Sequence, residues 1–214
     1  MTLLITAGPT REFIDPVRYI SNRSSGKMGC AVAESGLRHG HKVILVAGPL
    51  SIAPPAGAEV INVVSALEML AAVEANLERC DALVAAAAVA DYRPEKYIPS
   101  KIKKIFGLQP STLNLVQNPD ILATIAPRKG GRVFVGFAAE TENLLENAAE
   151  KLARKNLDMI VANDITKPGA GFDTDTNEVV LITRSGSTHV PLQSKSAIAD
   201  LIIEKTEELF SKSL

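Results

Sequence analysis

The chain has 214 residues, 46% hydrophobic and 22% charged, and 23 Lys and Arg set against 24 Asp and Glu leave a formal net charge of −1 at pH 7. A length of this order buries an ordinary core within one domain, and so even a charge balance excludes mainly electrostatic binding to nucleic acid or to a membrane surface. The longest apolar run, Ala82 to Ala90, is too short to span a bilayer, and Met1-Thr2-Leu3-Leu4-Ile5 lacks a signal peptide's basic region, so a cytoplasmic location is expected.

Thr2 to Thr6 is a short apolar, β-branched run closed by Ala7-Gly8-Pro9, which predicts a strand ending in a turn. Helical spacing of Met28, Ala31, Val32, Ser35 and Leu37 predicts a helix over Ser25 to Arg38, with Gly40 as its stop. Strands follow at Lys42 to Val46 and Glu59 to Val63. Ser65, with Glu68 three residues on, predicts a capping box opening a helix that runs to about Arg79. Ala82 to Ala87 is a continuous apolar strand, as a parallel strand covered on both faces should be. Beyond a long irregular stretch come a helix over Pro119 to Ala126, a strand over Arg132 to Phe137, a helix over Thr141 to Asn156 and a strand over Asp158 to Ala162. Glu178 to Arg184 and Thr188 to Pro191 read as a hairpin around Ser185-Gly186, and a last helix spans Ser196 to about Phe210.

This alternation predicts a single α/β domain over residues 1–214, with a mainly parallel sheet in a Rossmann-like three-layer fold and a C-terminal β-hairpin. Ligands of such sheets bind beyond the carboxyl ends of the strands, so the loops after strands are where chemistry is sought. The stretch from Asp91 to Thr112 is long for a connection and suggests a flap, taken as about residues 92–113.

The loop Tyr19 to Gly40 approaches two nucleotide templates and completes neither. Gly26-Lys27 is followed by Met28 rather than the Ser or Thr of a P-loop, and Gly8, Gly26 and Gly29 are too widely spaced for a dinucleotide fingerprint. Ser24, Ser25 and Gly26 nevertheless stand at a helix N-terminus, where free amides favour an anion. The alternative is that Ser25 merely caps the helix and Gly29 lets it pack closely on the first strand. Asn22-Arg23 adds two polar side chains where that strand opens.

Ala85, Ala86 and Ala87 allow backbone to approach a flat ligand, and Asp91 is a carboxylate suited to a metal ion or a ribose, or simply to capping a turn. Lys101, Lys103 and Lys104, with Lys96 nearby, suit a polyphosphate or a solvated face; the alternation places Lys101 and Lys103 on one side and Ile102 and Lys104 on the other. Asn118-Pro119-Asp120-Ile121 opens a helix with Pro119 in its first turn, Phe137 at a strand end suits a stacked base, and Lys151 and Lys155 share a helix face. Together these features point to a nucleotide site. Cys30 and Cys80 lie in apolar helical contexts without metal-ligand spacing and read as free buried thiols.

The stretches "ITAGPTREFIDPVRYISNRSSGKMG", "AAAVADYRP", "KIKK", "NPDILA", "VGFAAET" and "KLARKNLDMIVAND", with Gly171-Phe172, resemble phosphopantothenate–cysteine ligase, the synthetase half of the bacterial bifunctional coenzyme A biosynthesis flavoprotein. The resemblance implies joining of 4′-phosphopantothenate to L-cysteine, with CTP activating the carboxylate as an acyl-cytidylate and Mg2+ accompanying the triphosphate. It places Asn22 against the acyl portion of the intermediate and Lys101 on the triphosphate. Arg23, Ser24, Ser25 and Gly26 fall with Asn22 on the substrate side. Ala85 to Ala87, Asp91, Asn118 to Ile121, Phe137, Lys151 and Lys155 fall on the nucleotide, with Asp91 the candidate metal ligand. It also implies a homodimer whose arm lies around Lys96 to Thr112, and a flavin-dependent decarboxylase as a fused or separate partner, with no flavin in this chain. Two rival readings are an NAD(P)-dependent oxidoreductase and a non-catalytic nucleotide sensor.

Overall fold

The computed structural model describes residues 1–103, 112–140, 144–164 and 174–212. In chain order the first half forms β1 (Thr2–Ala7), β2 (Arg11–Phe13), β3 (Tyr19–Ser21), α1 (Lys27–Arg38), β4 (Lys42–Ala47), β5 (Glu59–Asn62), α2 (Ala66–Asn76) and β6 (Ala82–Ala85). The second half forms β7 (Tyr92–Pro94), β8 (Leu115–Gln117), α3 (Ile121–Ile125), β9 (Val133–Glu140), α4 (Leu144–Arg154), β10 (Met159–Asp164), β11 (Thr176–Thr183), β12 (Gly186–Ser194) and α5 (Lys195–Ser211). The eight-stranded sheet has the order β12-β11-β10-β9-β6-β1-β4-β5. Six neighbouring strands from β10 to β5 are parallel, and β11 and β12 extend the β10 edge antiparallel.

Alternation along β1 divides the core. Leu3 and Ile5 face α1 and α5, packing with Val32, Ile198 and Ile202, while Leu4 faces α2 and α4, packing with Met69, Val73 and Leu152. Each such side chain, removed from water on both faces of the sheet, contributes roughly 1.5–3 kcal/mol. That is why the central strands read as unbroken apolar runs.

The expected capping box is present: Ser65 Oγ accepts from the Glu68 amide and the Glu68 carboxylate accepts from the Ser65 amide. The helix it opens ends at Asn76 and tightens into a 3₁₀ turn over Leu77–Arg79. Other expected bounds need correction. β6 stops at Ala85 instead of Ala87, yet Ala88 forms an isolated parallel bridge with Pro9, so the chain keeps running beside the first strand. The hairpin strands are longer than expected, with an irregularity between Asn177 and Val179, and α5 begins at Lys195, capped by Ser194. The expected start of the fourth helix at Thr141 lies outside the described residues, as do Lys104, the middle of the flap and Gly171-Phe172.

Two short hairpins, β2–β3 and β7–β8, were not foreseen; they pack beside each other above the sheet. Glu12 ties the first to the start of α2, its Oε1 accepting from the Ala66 amide at 2.9 Å. Asp15, its side chain fully buried, organises the turn of that hairpin: it accepts from the Val17 and Arg18 amides, both at 2.9 Å, and from the Ile102 amide at 3.1 Å. Arg18 pairs with it through Nε at 3.0 Å and donates to the Ile102 carbonyl at 2.8 Å, so the base of the flap is anchored here.

The Arg18 hydrogen bond holds the Asp15 carboxyl well below its ordinary value of 3.8, against the opposing effect of burial. A carboxylate with a depressed native pKa stabilises the fold above its unfolded pKa and loses that contribution as pH falls through the native one. Asp15→Asn is therefore expected to lower Tm at about pH 7, with the gap to the unaltered chain narrowing below about pH 4. Thermal melts across that range check it; a gap as wide at about pH 3 as at neutrality would contradict the ionic role of Asp15.

Candidate functional site

Two adjoining cavities lie beyond the carboxyl ends of β1, β6, β9 and β10. The larger, about 440 Å³, is lined by Asn22 to Gly29, by Ala86 to Val89 and Asp91, by Phe137 and Ala138, and by Lys151, Asn163, Asn177 and Lys195. The smaller, about 310 Å³, is lined by Ala85, Ala87, Val89 to Asp91, Gln117 to Leu122, Phe137 and Lys155, with Thr6 and Leu83 at its base. Ala87, Val89, Asp91 and Phe137 line both, so the two form one cleft.

The loop from Ala86 to Ala90 is the wall between them, and the end of β1 with the turn after it holds it in place. The Ala87 amide donates to Thr6 Oγ1 at 3.2 Å, the Ala88 amide to the Gly8 carbonyl at 2.9 Å, and the Ala90 amide to Thr10 Oγ1 at 3.0 Å. Asn22 Nδ2 donates to the Val89 carbonyl at 2.9 Å and Asn118 Nδ2 to the Ala90 carbonyl at 2.8 Å, so each cavity contributes one asparagine that grips the shared wall.

The larger cavity opens on the N-terminus of α1. Ser25 does not cap this helix, which corrects one expectation. The N-cap is Gly26, in the left-handed region at φ 78°, and no side chain caps the helix; Ser24 Oγ accepts from the Gly26 amide at 3.3 Å. Glycine is needed at Gly26 because its φ strains other residues and because a Cβ there would sit 2.3 Å from Leu50 Cδ2. Gly29 allows the close packing expected of it, since a Cβ would lie 2.5 Å from that of Ala7. A helix start without a side-chain cap, facing a cavity, presents amides and the positive end of the dipole to an anion. Arg23, Lys151 and Lys195 add positive charge around it, while Lys27 is paired with Asp175 at 2.6 Å.

In the smaller cavity Asp120 is the N-cap of α3, accepting from the Ala123 amide at 3.1 Å, so Pro119 precedes the helix rather than opening its first turn. Lys155 follows the end of α4 and lies 2.8 Å from Asp120 Oδ2. Burial pushes the Asp120 carboxyl up, but hydrogen bonds from Lys155 and the Ala123 amide outweigh it and hold the group below its ordinary range. Phe137, half-buried on β9, and the alanines opposite form a flat apolar slot with polar groups at its rim. Lys101 is exposed and lines neither cavity, its neighbour Ile102 being the half-buried residue held by Asp15 and Arg18. Cys30 and Cys80 are buried, which raises both thiols to about 11 and leaves them unsuited to nucleophilic chemistry.

Sequence reasoning missed Lys27, Asn163, Asn177 and Lys195 as cavity residues. The two lysines gave no signal in the sequence, since each is the first residue of its helix only once the helix starts are known. The asparagines have no signature either, because asparagine at a strand or loop is common in turns.

Residues 1–209 match the family model for the C-terminal domain of the DNA/pantothenate metabolism flavoprotein. The chain belongs to this family. The coenzyme A biosynthesis bifunctional protein CoaBC of Vibrio parahaemolyticus is 49% identical over 209 residues, covering 97% of this chain and 52% of that protein. This flavoprotein C-terminal domain thus spans about half the length of the curated relatives it matches. A crystal structure of the C-terminal domain of a CoaBC protein superposes with a TM-score of 0.84 at 39% identity, covering 99% of this chain and 96% of the other. A Cab2 mutant in complex with phosphopantothenate-cysteine shares the fold, with a TM-score of 0.77 at 20% identity over 99% of this chain and 87% of that one.

Proposed function

We propose that this domain is a phosphopantothenate–cysteine ligase of coenzyme A biosynthesis that uses CTP. The observation that carries the reading is the two-part cleft, an apolar slot with polar ends joined to a cation-lined cavity at a helix N-terminus. The CoaBC relatives and the ligand of the Cab2 structure support the substrate class. The rival readings predict different sites, a hydride-transfer enzyme needing the glycine fingerprint this chain lacks and a sensor needing no acyl substrate.

In the proposed reaction a carboxylate oxygen of 4′-phosphopantothenate attacks the α-phosphorus of CTP. The new P–O bond forms as the α–β bridge breaks, and pyrophosphate leaves with the electron pair. The amine of cysteine then attacks the activated acyl carbon; CMP departs with the carboxylate oxygen, and the amine loses its proton. Phe137, Ala85 to Ala87 and Asn118 to Ile121 would hold the cytidine, with Lys155 set beside Asp120 at the rim. Lys151 and Lys101 would meet the triphosphate. Asn22 to Gly26 would hold the acyl portion, the amides at Gly26 and beyond stabilising the charge that develops. Mg2+ fits the donor set, since Asp91 offers one carboxylate to the cleft and Mg2+ takes one or two carboxylates plus phosphate oxygens. It would supply charge neutralisation of the triphosphate.

A homodimer is part of the reading. Phe13, Val17 and Tyr19 on the first hairpin and Tyr92, Tyr97 and Leu115 around the second are between 39% and 58% exposed, an apolar surface beside the cleft of the kind that partners cover. Fusion to a flavin-dependent decarboxylase, as in the bifunctional relatives, and a flap over residues 92–113 belong to the same proposal.

Incubation with CTP, 4′-phosphopantothenate, cysteine and Mg2+ tests the reaction: CMP and pyrophosphate should appear only when the acid is present, and the amide only when cysteine is added. Nucleotide binding without turnover would favour the sensor. Lys195→Gln should raise the KM of an anionic substrate roughly 10- to 100-fold, the worth of one charge-assisted hydrogen bond, and because Lys195 is buried it should lower Tm as well. Unaltered kinetics would remove Lys195 from the site.

A further inference from the structure

We propose that His39, His41 and Glu207 form a binding site for a divalent transition-metal ion of the zinc class, joining the C-terminal end of α1 to α5. The site lies at the opposite end of α1 from the cleft and plays no part in the reaction proposed above. Among the described residues these three offer ligand atoms that all lie within 4.8 Å of one another.

The arrangement follows from the local chain. His39 is the C-cap of α1, Gly40 turns the chain at φ 79°, and His41 leads into β4; the turn brings both rings to the same side, against Glu207. One carboxylate oxygen, Glu207 Oε1, lies 3.2 Å from His39 Nδ1 and 2.7 Å from His41 Nε2. Bonds of about 2.0–2.1 Å in a tetrahedral site place neighbouring ligand atoms roughly 3.3 Å apart. The first pair already meets that spacing, the second needs to open by about half an ångström, and the two imidazole nitrogens, within 4.8 Å of each other, complete the triangle by closing toward it. The Met1 nitrogen, a donor, lies 3.4 Å from His41 Nδ1, so a metal on Nε2 would shift the ring proton to Nδ1 and break this contact.

The chemistry selects the metal. Two imidazoles and one carboxylate suit zinc and its neighbours, whereas Mg2+ prefers an all-oxygen shell. Three protein ligands leave a position for water, and the partly exposed Glu207 side chain gives the ion a route in from solvent. The nearby Arg38 is paired with Asp200 and does not place an unbalanced cation beside the site. Bound metal would replace two hydrogen bonds with three coordinate bonds between α1, the turn and α5, so it should stabilise the docking of the last helix.

Calorimetric titration of untagged chain with Zn2+, with Mg2+ in parallel, tests this. The expected result is one Zn2+ per chain, a higher Tm with Zn2+ but not with Mg2+, and binding at least tenfold weaker in Glu207→Gln and in His41→Ala. Co2+ should give visible d–d bands without thiolate charge transfer, since neither cysteine takes part. Glu207→Gln keeps the size and hydrogen-bonding reach of the side chain, so it decides the matter if His41→Ala does not fold. Absence of saturable binding would overturn the proposal. So would Zn2+ affinity unchanged in Glu207→Gln.

Discussion

Asn22→Asp is expected to slow formation of the amide roughly 10²- to 10³-fold, the usual effect of losing one preorganised donor at a reacting centre, while pyrophosphate release falls much less. Asn22 lines the larger cavity and donates from Nδ2 to the Val89 carbonyl at 2.9 Å. An aspartate cannot make that bond. It would also set a carboxylate against a carbonyl and compete, within a cavity ringed by Arg23, Lys27, Lys151 and Lys195, for the cations that should meet substrate. Because Asn22 is exposed, the change should leave Tm nearly unaltered. Rapid-quench measurement of pyrophosphate against phosphopantothenoylcysteine separates the halves: activated acid should accumulate. An equal fall in both would show that Asn22 does not act on the acyl intermediate.

Lys101→Gln is expected to act on the other half, lowering pyrophosphate release at least 10²- to 10³-fold. Lys101 is exposed at the base of the flap, outside both cavities, while Ile102 is held by Asp15 and Arg18. Its proposed contact with the triphosphate therefore requires the lysine-bearing segment to reach over the cleft when nucleotide binds. Glutamine keeps much of the length and removes the charge, so the loss would report the cation rather than the packing. Normal activity in this variant would mean that the triphosphate lies elsewhere, with Lys151, Lys27 and Lys195 its nearest alternatives.

Much of this fold is legible in the chain because the central strands are buried on both faces. Leu3 to Ile5 and Val43 to Val46 admit few readings other than interior parallel strands, and Ser65 with Glu68 marks a helix start through its own hydrogen bonds. The two hairpins were illegible for the opposite reason. Their strands are three residues long, too short for a period of two to declare itself, and their pairing is set by tertiary contacts such as Glu12 with the Ala66 amide. Residue type alone left Ser25 open as a cap beside its reading as part of an anion cradle, whereas the left-handed Gly26 takes the N-cap position. In the site, the alanine loop, Asp91, Asn118 to Ile121 and Phe137 stood out because small, acidic and aromatic residues after strands have few structural uses together. Lys27 and Lys195 are recognised only once the helices are seen to begin at them.

In the proposed reaction the carboxylate of 4′-phosphopantothenate becomes bonded to the α-phosphorus of CTP. Carrying out the reaction with acid labelled with oxygen-18 in its carboxylate tests this most directly. The released CMP should carry one labelled oxygen, transferred when cysteine displaces it. Label found in inorganic phosphate with release of CDP, or CMP formed without label, would contradict it.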